Sequence, residues 1–355
     1  MNSKIPIRNI YYLLSYAWNI RPLQGQRRLS IENAPGILDL LARLFAEGVS
    51  SLRRPGLDRN YVETNGEIAM IRGKPDFSES NKRLSQLRSR MVCRFEELSS
   101  DILHNRILKS TLLRLLACDS LEAETRRRLH LPRELLSEIT PVALNTGVFQ
   151  RIQIHRNNRH YRLLLNICEL LSRQLLPSDQ QGHVIFRDFL EDETAMSGIF
   201  EKFVFNFATR HFPEATVGAD WIDWDGGAMD DLSRSFLPKM KTDLSIGWPT
   251  RKLILDCKFY ERATLTSYEV EKLRSGHLYQ IFSYLKNKSV HPGWNACEGV
   301  LLYPTVEMSF DCRFRLGGHP VRTVTLDLNR QWQEIESDLQ AILSGVSLLP
   351  AESLS

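Results

Sequence analysis

The chain has 355 residues, of which 43% are hydrophobic and 25% are charged, so its composition is that of a folded protein and excludes disordered and fibrous classes. Its 46 basic and 42 acidic residues leave a net charge of +4, which permits contact with nucleic acid without requiring it. The length predicts two domains. Six cysteines are scattered without a CxxC pair, which argues against a zinc ribbon or a disulfide framework and favours a cytoplasmic setting.

An apolar run near the N terminus predicts a core helix rather than a signal peptide. Its apolar residues recur at i, i+3, i+4 and i+7, on one face of a helix: Ile10, Leu13, Leu14 and Ala17. The polar residues Asn19 and Arg21 follow, and there is no small-residue cleavage site. No stretch approaches the run of about 18 apolar residues that crosses a bilayer, so we expect no membrane attachment.

The first half of the chain is predicted to be helical with one β-hairpin inserted. Helical spacing follows Pro35, and Gly48 stands where a C-terminal cap would end that helix. Asn65 and Gly66 lie between two short runs of strand-forming residues, which is typical of a hairpin turn. Residues 83–129 carry a helical stripe of apolar residues. We therefore expect an α+β arrangement in the N-terminal domain.

The second half is predicted to be an α/β domain with a mixed sheet. A basic segment at residues 151–162 precedes a helix and a polar stretch, and strands then alternate with helices. The predicted strands cover residues 240–246, 252–260, 299–303 and 321–327, and the predicted helices cover residues 200–210, 275–286 and 331–343. We place the N-terminal domain at residues 1–160 and the C-terminal domain at residues 161–350.

Two predicted strands around residue 250 bring acidic and basic side chains together. Asp256 and Lys258 share one face of the second strand, because strand side chains alternate between faces. If the hairpin turns between Pro249 and Thr250, Asp243 lies directly opposite Asp256, with Cβ atoms about 5 Å apart. Two carboxylates at that distance repel each other unless a cation lies between them.

This arrangement predicts a Mg²⁺ site. A hard divalent ion takes oxygen ligands, and the candidates are Asp243, Asp256 and the backbone carbonyl of Cys257. Lys258 would then lie near the attacking water or the scissile phosphate, as metal-assisted hydrolysis of a phosphodiester requires. The alternative is a solvent-facing salt bridge on a half-exposed strand, since Asp-x-Lys is a common pattern.

Two predicted helices carry further polar candidates. Gln280 and Tyr284 share one face at i, i+4 on the helix after the hairpin, although ordinary polar surface positions would have the same spacing. Glu201 lies on the helix before the hairpin, from which a further carboxylate could project towards the metal. A solvated glutamate on a helix face is the favoured interpretation of Glu201.

The chain resembles the PD-(D/E)xK nuclease superfamily in the order of its candidate residues: Glu201, Asp243, Asp256, Lys258, Gln280 and Tyr284. More narrowly, it resembles the McrC family, the endonuclease subunits of McrBC modification-dependent restriction systems. The stretches that carry this resemblance are spread over nearly the whole chain: IRNIYYLLSYAW at 7–18, NRILKST at 105–111, TD at 242–243, DCKFY at 256–260 and LYQIFSYL at 278–285. One departure is Thr242, which stands where the superfamily motif has proline.

The resemblance implies a PD-(D/E)xK nuclease domain that uses Mg²⁺ to cut double-stranded DNA containing modified cytosine. It also implies a partner, a McrB-like ring of AAA+ GTPase subunits whose GTP hydrolysis the chain stimulates. In that family a glutamine and a tyrosine at the positions of Gln280 and Tyr284 line the catalytic pocket. We place partner contact near the predicted hairpin, with Arg72, Lys74 and Asp76 as candidates.

Nucleotide-binding motifs and basic stretches bear on where GTP and DNA would bind. The sequence has no Walker A motif and no GxGxxG, so GTP is expected on the partner and not on this chain. Arginines 126–128 favour a solvated helix face, whereas the basic segment 151–162 is equally consistent with phosphate contacts and with a plain surface. An alternative function is a nuclease-fold adaptor that regulates a GTPase ring with little cleavage of its own. Retention of Asp243, Asp256 and Lys258 together favours the endonuclease.

Overall fold

The computed structural model describes residues 5–20, 32–156, 158–177, 184–188, 190, 192–226, 230–259, 264–267, 270–305 and 309–347, with the backbone alone at 177, 234, 264–267 and 270–272. The chain divides into two compact units. The first combines Met1–Pro35 with Asp188–Ser355, and we call it the sheet unit. The second is Gly36–Arg187, and we call it the middle unit.

Helices and strands are numbered in chain order over the described residues. The helices are α1 Ile7–Ala17, α2 Ile37–Ser51, α3 Phe77–Lys82, α4 Leu103–Leu116, α5 Ala123–Arg128, α6 His130–Leu135, α7 Thr146–Gln150, α8 Tyr161–Gln174, α9 Glu193–His211, α10 Asp231–Phe236, α11 Ser275–Lys288 and α12 Trp332–Ser344. The strands are β1 Asn60–Ile68, β2 Lys74–Pro75, β3 Met91–Ser99, β4 Leu175–Pro177, β5 Val184–Phe186, β6 Thr216–Gly218, β7 Trp221–Ile222, β8 Met240–Lys241, β9 Leu244–Gly247, β10 Lys252–Cys257, β11 Thr264–Ser267, β12 Val270–Leu273, β13 Glu298–Thr305, β14 Asp311–Leu316 and β15 His319–Asp327. Over these ranges, no helix has both the length and the apolar character needed to span a bilayer.

Helix α1 is a core helix of the sheet unit. The Tyr12 ring stacks on Trp332 with centroids 4.7 Å apart, and Asn9 Nδ2 donates hydrogen bonds to the carbonyls of Leu328 and Arg330. Its buried face confirms the helix predicted from the apolar spacing. The division of the chain differs from the predicted boundary at 160/161, because α1 packs with C-terminal elements and α8 belongs to the middle unit.

The middle unit contains an antiparallel sheet of three strands in the order β1-β3-β2. The hairpin predicted at Asn65 and Gly66 is wrong, because β1 runs straight through both residues, which pair with Arg94 and Cys93 of β3. Neither residue has the positive φ that a two-residue hairpin turn requires. Strand β3 lies inside the stretch predicted to be one long helix, so only α4 and α5 remain of that helix.

Helices α2 and α8 of the middle unit pack closely at Gly48. A Cβ added to Gly48 would lie 2.6 Å from Leu164 Cδ2, so glycine allows the two helices to approach each other. Helix α2 continues past Gly48 to Ser51, which corrects the predicted cap. The helix predicted after the basic segment is confirmed as α8, where Tyr161 and Leu164 are buried.

The sheet unit is built on a mixed sheet of six strands in the order β14-β15-β13-β10-β9-β6. Strands β10, β13 and β15 run parallel, whereas β6, β9 and β14 pair antiparallel with their neighbours. Helix α11 packs against β10 and β13, where a Cβ on Gly299 would lie 2.8 Å from Leu285 and 2.9 Å from Ile281. This sheet confirms the predicted α/β class of the C-terminal half. Strand β14 was not predicted.

Candidate active site

The β9–β10 hairpin has the register that the sequence predicts. Its paired residues are Lys252 with Gly247, Leu253 with Ile246, Ile254 with Ser245 and Leu255 with Leu244. The turn is closed by a hydrogen bond from the Trp248 N–H to the Arg251 carbonyl, 2.9 Å long. One step beyond the last pair, the same register sets Asp256 opposite Asp243, which directly precedes β9.

Backbone contacts hold Asp243 at the end of β10. Its Oδ2 accepts a hydrogen bond of 2.8 Å from the N–H of Cys257. The preceding residue, Thr242, is buried, donates its N–H to the Asp220 carbonyl at 3.0 Å, and accepts from the Asp220 N–H at 2.9 Å through Oγ1. A proline at position 242 would remove the first of these bonds, so threonine here supports the position of Asp243.

Asp256 and Lys258 form an ion pair in the interior of the sheet unit. Their side chains are 1% and 12% exposed, and Lys258 Nζ lies 2.6 Å from Asp256 Oδ2. Among the described residues, that oxygen has this charged contact but no hydrogen bond of suitable geometry. The alternative of a solvent-facing pair on a half-exposed strand therefore does not apply.

Helix α11 completes a chain of hydrogen bonds that begins at Lys258. Lys258 Nζ donates to Gln280 Oε1 at 2.7 Å, and Gln280 Nε2 contacts the Tyr284 hydroxyl at 2.7 Å. An ammonium can only donate, so the amide oxygen of Gln280 must face Lys258 and its NH₂ must face Tyr284. Gln280 is half-buried and Tyr284 is buried in the core beside Ile254, which argues against ordinary surface positions.

A second pair of polar side chains near Lys258 was not predicted from the sequence. His277 is buried, and its Nδ1 lies 2.8 Å from the Tyr303 hydroxyl. Burial, followed by the charges of Lys258 and Arg274, lowers the pKa of His277 to about 4. His277 and Gln280 stand at i, i+3 on α11, so the helical spacing carried a signal for the histidine. Tyr303 comes from β13, and no local pattern connects it to the site.

Asp243 and Asp256 are both destabilised in their charged form. Burial, followed by the charges of Asp256 and Glu201, raises the pKa of Asp243 to about 7. Burial also raises the pKa of Asp256, against the opposing effect of Lys258. Glu201 is half-buried on α9 and its Oε1 accepts a hydrogen bond of 2.9 Å from Ser197. The negative charge of Glu201 thus acts on both aspartates, and Lys258 offsets it only in part, which favours binding of an added cation.

The donor set fits a hard cation held by a small number of protein oxygens. Asp256 Oδ2 is buried without a hydrogen bond, and the nearby carboxylate of Asp243 is also an oxygen donor. Burial raises the pKa of the Cys257 thiol, so its sulfur stays protonated and the carbonyl is the donor to consider. Over the described ranges, no three His, Cys, Asp or Glu side chains are grouped as a ready-made metal site, so Glu201 does not complete a set with the two aspartates.

Comparison with known proteins identifies the family. A family model described as McrBC 5-methylcytosine restriction system component matches residues 3–304. The chain belongs to this family. A family relative in Escherichia coli strain K12, the type IV methyl-directed restriction enzyme EcoKMcrBC, is 31% identical over 337 residues, which cover 94% of this chain and 96% of the relative. The McrC resemblance noted from the sequence is thereby confirmed.

A solved structure supports the same fold. It is described as a refined half-complex from a tetradecameric assembly of Thermococcus gammatolerans McrB AAA+ hexamers with bound McrC. The matched chain has a TM-score of 0.57 and 18% sequence identity, and the match covers 97% of the present chain and 77% of the other. At that identity the likeness concerns the fold, which includes the mixed sheet that positions Asp243 and Asp256.

The three residues predicted to contact a partner have different surroundings. Arg72 and Lys74 are exposed, and the Arg72 guanidinium lies 5.1 Å from the centroid of the Phe95 ring. Asp76 is half-buried and caps α3, where its side chain accepts a hydrogen bond of 3.0 Å from the Glu79 N–H. The carboxylate of Asp76 is therefore already used within the middle unit.

Arginines 126–128 do not all lie on a solvated helix face. The Arg126 guanidinium donates hydrogen bonds to the carbonyls of Leu116 and Cys118, at and just beyond the end of α4. It satisfies backbone acceptors that a helix terminus leaves without partners. Arg127 and Arg128 are exposed, as predicted.

Proposed function

We propose that the chain is the endonuclease subunit of a GTP-dependent restriction complex that cuts double-stranded DNA containing modified cytosine. The observation that carries this proposal is the set formed by half-buried Asp243, buried Asp256 and half-buried Lys258 at the open end of the β9–β10 hairpin. A mixed sheet that brings this set to the ends of two adjacent strands supports the assignment to the PD-(D/E)xK superfamily. Membership of the McrBC family supports DNA as the substrate, and the action of the complex on DNA is consistent with a cytoplasmic location.

Asp243, Asp256 and the carbonyl of Cys257 would hold Mg²⁺. The bound ion supplies Lewis acidity, which lowers the pKa of a water molecule and offsets charge on the phosphate. Glu201 contributes negative potential from α9 and is the candidate for a water-mediated contact. Because Asp243 has a pKa of about 7 and a ligand must be ionised, metal binding at neutral pH releases a proton from this site.

Lys258 would stabilise the negative charge that develops on the phosphate. Its ammonium donates to Gln280 Oε1 and lies 2.6 Å from Asp256 Oδ2, which places its positive charge beside the proposed metal ligand. Tyr284 fixes the amide of Gln280, so the lysine is held before substrate arrives and does not need to reorganise. We assign Lys258 to the reaction itself, and Gln280 and Tyr284 to its position.

The proposed partner is a McrB-like AAA+ GTPase ring that binds GTP and presents the DNA. Support comes from the description of the T. gammatolerans assembly, in which McrC is bound to McrB AAA+ hexamers. In the middle unit, Met70 and Ile71 are 83% and 61% exposed and directly precede Arg72. Exposed apolar side chains beside charged ones are typical of a protein interface, so Arg72 and Lys74 remain the candidates for contact, and Asp76 supports them as a cap.

A cleavage assay tests the proposed function. The chain is incubated with methylated or unmethylated plasmid, with and without the partner GTPase, GTP and Mg²⁺. We expect cutting of the methylated plasmid only when partner, GTP and Mg²⁺ are all present. Cutting by the isolated chain would contradict the dependence on a partner, and no cutting under any condition would favour the adaptor.

Charge reversal tests the partner surface separately. Arg72→Glu with Lys74→Glu is expected to reduce stimulation of the partner's GTP hydrolysis, because both side chains are exposed beside the apolar residues. The matched control is Arg83→Glu with Lys82→Glu, two exposed cations at the end of α3 that pair with Glu79. Equal stimulation by the two double variants would refute this placement of the interface.

A further inference from the structure

The basic segment of the middle unit, residues 151–162, carries positively charged side chains and no acidic ones. Between Glu138 and Glu169 there is no acidic residue, whereas the segment 151–162 carries four arginines and two histidines. All four arginines are exposed: Arg151, Arg156, Arg159 and Arg162. The acidic neighbours that neutralise most surface arginines are therefore missing from this part of the sequence.

These four arginines differ from the other exposed arginines of the middle unit. Arg83, Arg128 and Arg173 each pair with a glutamate four positions away on the same helix or at its end. Among the described residues, none of the four arginines in the segment 151–162 forms an ion pair. Over the described part of the chain, their charge is therefore not offset by an acidic partner and is available to a ligand.

The backbone that carries the arginines is fixed by buried side chains. Asn158 is buried, its Oδ1 accepts a hydrogen bond of 2.7 Å from the His155 N–H, and its Nδ2 donates to Asp58 Oδ2 at 3.3 Å. Tyr161 is fully buried, donates to Asn105 Oδ1 at 2.9 Å, and accepts from the Asp58 N–H at 2.9 Å. The buried side chains of Asn158 and Tyr161 thus alternate along the chain with exposed arginines.

This anchoring matters for the energetics of binding. A mobile basic tail would lose conformational entropy on contact with a ligand, whereas a segment held in place loses little. Asn105 belongs to the NRILKST stretch, and its Nδ2 also donates to the carbonyls of Asp58 and Ser100. The same network therefore joins α4, the start of α8 and the loop before β1 behind the basic segment.

We propose that Arg151, Arg156, Arg159 and Arg162 form a surface of the middle unit that binds the phosphate backbone of duplex DNA. The proposal rests on the proposed function, which makes DNA the substrate, and it adds a contact apart from the Asp256 centre. Guanidinium groups bind phosphate oxygens through paired N–H donors. Contacts of this kind carry no sequence information, which suits a subunit whose partner selects the modified base.

Salt dependence of DNA binding tests the proposal directly. The full chain is titrated with a 30-base-pair unmodified duplex in EDTA, so that cleavage plays no part and failure of the catalytic assignment would not affect the result. We compare the wild type with R156Q/R159Q/R162Q. Each phosphate contact contributes about 0.9 to the slope of log K against log salt, so the triple variant should lose roughly 2 to 3 from that slope and one to two orders of magnitude in affinity.

The matched control is R83Q/R128Q/R173Q, which changes the net charge equally but removes arginines already paired with glutamate. We expect this control to retain most of the wild-type slope. Equal slopes for the two triple variants, or wild-type binding that does not depend on salt, would overturn the proposal. A loss of GTPase stimulation by R156Q/R159Q/R162Q at unchanged DNA affinity would also overturn it, because the surface would then bind an acidic partner protein.

Discussion

One ion pair on the three-stranded sheet of the middle unit is exposed to solvent. Another, beside the central strand β10 of the six-stranded sheet, lies in the core. Glu63 and Arg94 lie 3.2 Å apart with side chains 63% and 50% exposed. Asp256 and Lys258 lie 2.6 Å apart with side chains 1% and 12% exposed. The two pairs are chemically alike but differ in how much solvent they lose.

This difference in solvent exposure changes the free-energy cost of forming each pair. An exposed pair costs little to form and contributes little, because water and salt screen its charges. A buried pair has a desolvation cost that its mutual attraction often fails to offset, so apolar residues in its place would serve the fold as well or better. The same sheet also buries an ion pair between Asp311 and Arg322, so burial alone does not mark a function. The Asp256 pair differs in that Asp243 lies nearby and the pKa values of both aspartates are raised, and these features point to chemistry.

Removal of the buried cation should produce the largest effect. Lys258→Met keeps the length and packing of the side chain but deletes the ammonium, and we expect cleavage by the complex to fall by about two to four orders of magnitude. The matched control is Lys252→Met at the start of β10, where Lys252 Nζ donates to the Trp248 carbonyl. If Lys258→Met cleaves DNA near the wild-type rate, Lys258 does not take part in the reaction.

Loss of the positioning amide should have a smaller effect on the same reaction. Gln280→Leu removes the acceptor for Lys258 and leaves Tyr284 without its partner, so kcat should fall by about 10- to 100-fold. KM for DNA should change little, because Gln280 is assigned no substrate contact. Tyr284→Phe keeps the Lys258 contact of Gln280 and should lower kcat less. A change confined to KM would show that Gln280 binds substrate instead.

Neutralising Asp243 should stabilise the protein while cleavage is lost. The folded-state pKa of Asp243 is raised to about 7, above its unfolded value of about 4, so the wild type loses stability as pH rises between these values. An asparagine side chain at this position cannot ionise. In EDTA at pH 8, Asp243→Asn should therefore be more stable by roughly 2 kcal/mol, which raises Tm by several degrees.

Thermal unfolding at two pH values checks this sign. The difference between Asp243→Asn and the wild type should be small at pH 4 and large at pH 8. Addition of Mg²⁺ at pH 8 should then raise the Tm of the wild type alone, because only the ionised carboxylate binds the metal. A variant that is less stable than the wild type at pH 8 would show that burial does not strain this carboxylate.

The exposed pair should give the smallest effect. Glu63→Gln removes the charge that Arg94 contacts in the three-stranded sheet, and the free energy of unfolding should change by less than about 0.5 kcal/mol. DNA cleavage and GTPase stimulation should remain at wild-type levels. Denaturant unfolding measures the change in stability. A loss of more than about 1 kcal/mol in the free energy of unfolding would contradict the expectation that the exposed pair contributes little to stability.

The sequence predicted structure well where partners are close along the chain. The β9–β10 register followed from two adjacent strands, because a slip of one residue would turn every apolar side chain to the wrong face. The hairpin turn predicted at Asn65 and Gly66 was wrong because β1 continues through both residues and pairs with the more distant strand β3. Strand β14 was missed although Cys312, Phe314 and Leu316 alternate with charged residues, because this six-residue pattern is a weak signal and the strand lies largely exposed at the sheet edge. The contact between His277 and Tyr303 depends on tertiary packing.

The most direct test of the buried centre is DNA cleavage by the complex that carries Asp256→Asn, with GTP hydrolysis followed in the same reaction. The substrate is methylated plasmid with Mg²⁺, GTP and the partner GTPase. We predict that cleavage falls at least about a thousandfold while GTPase stimulation stays at the wild-type level, because the substitution removes a charged ligand and keeps the fold. Cleavage at the wild-type rate would contradict this account and place the catalytic centre elsewhere.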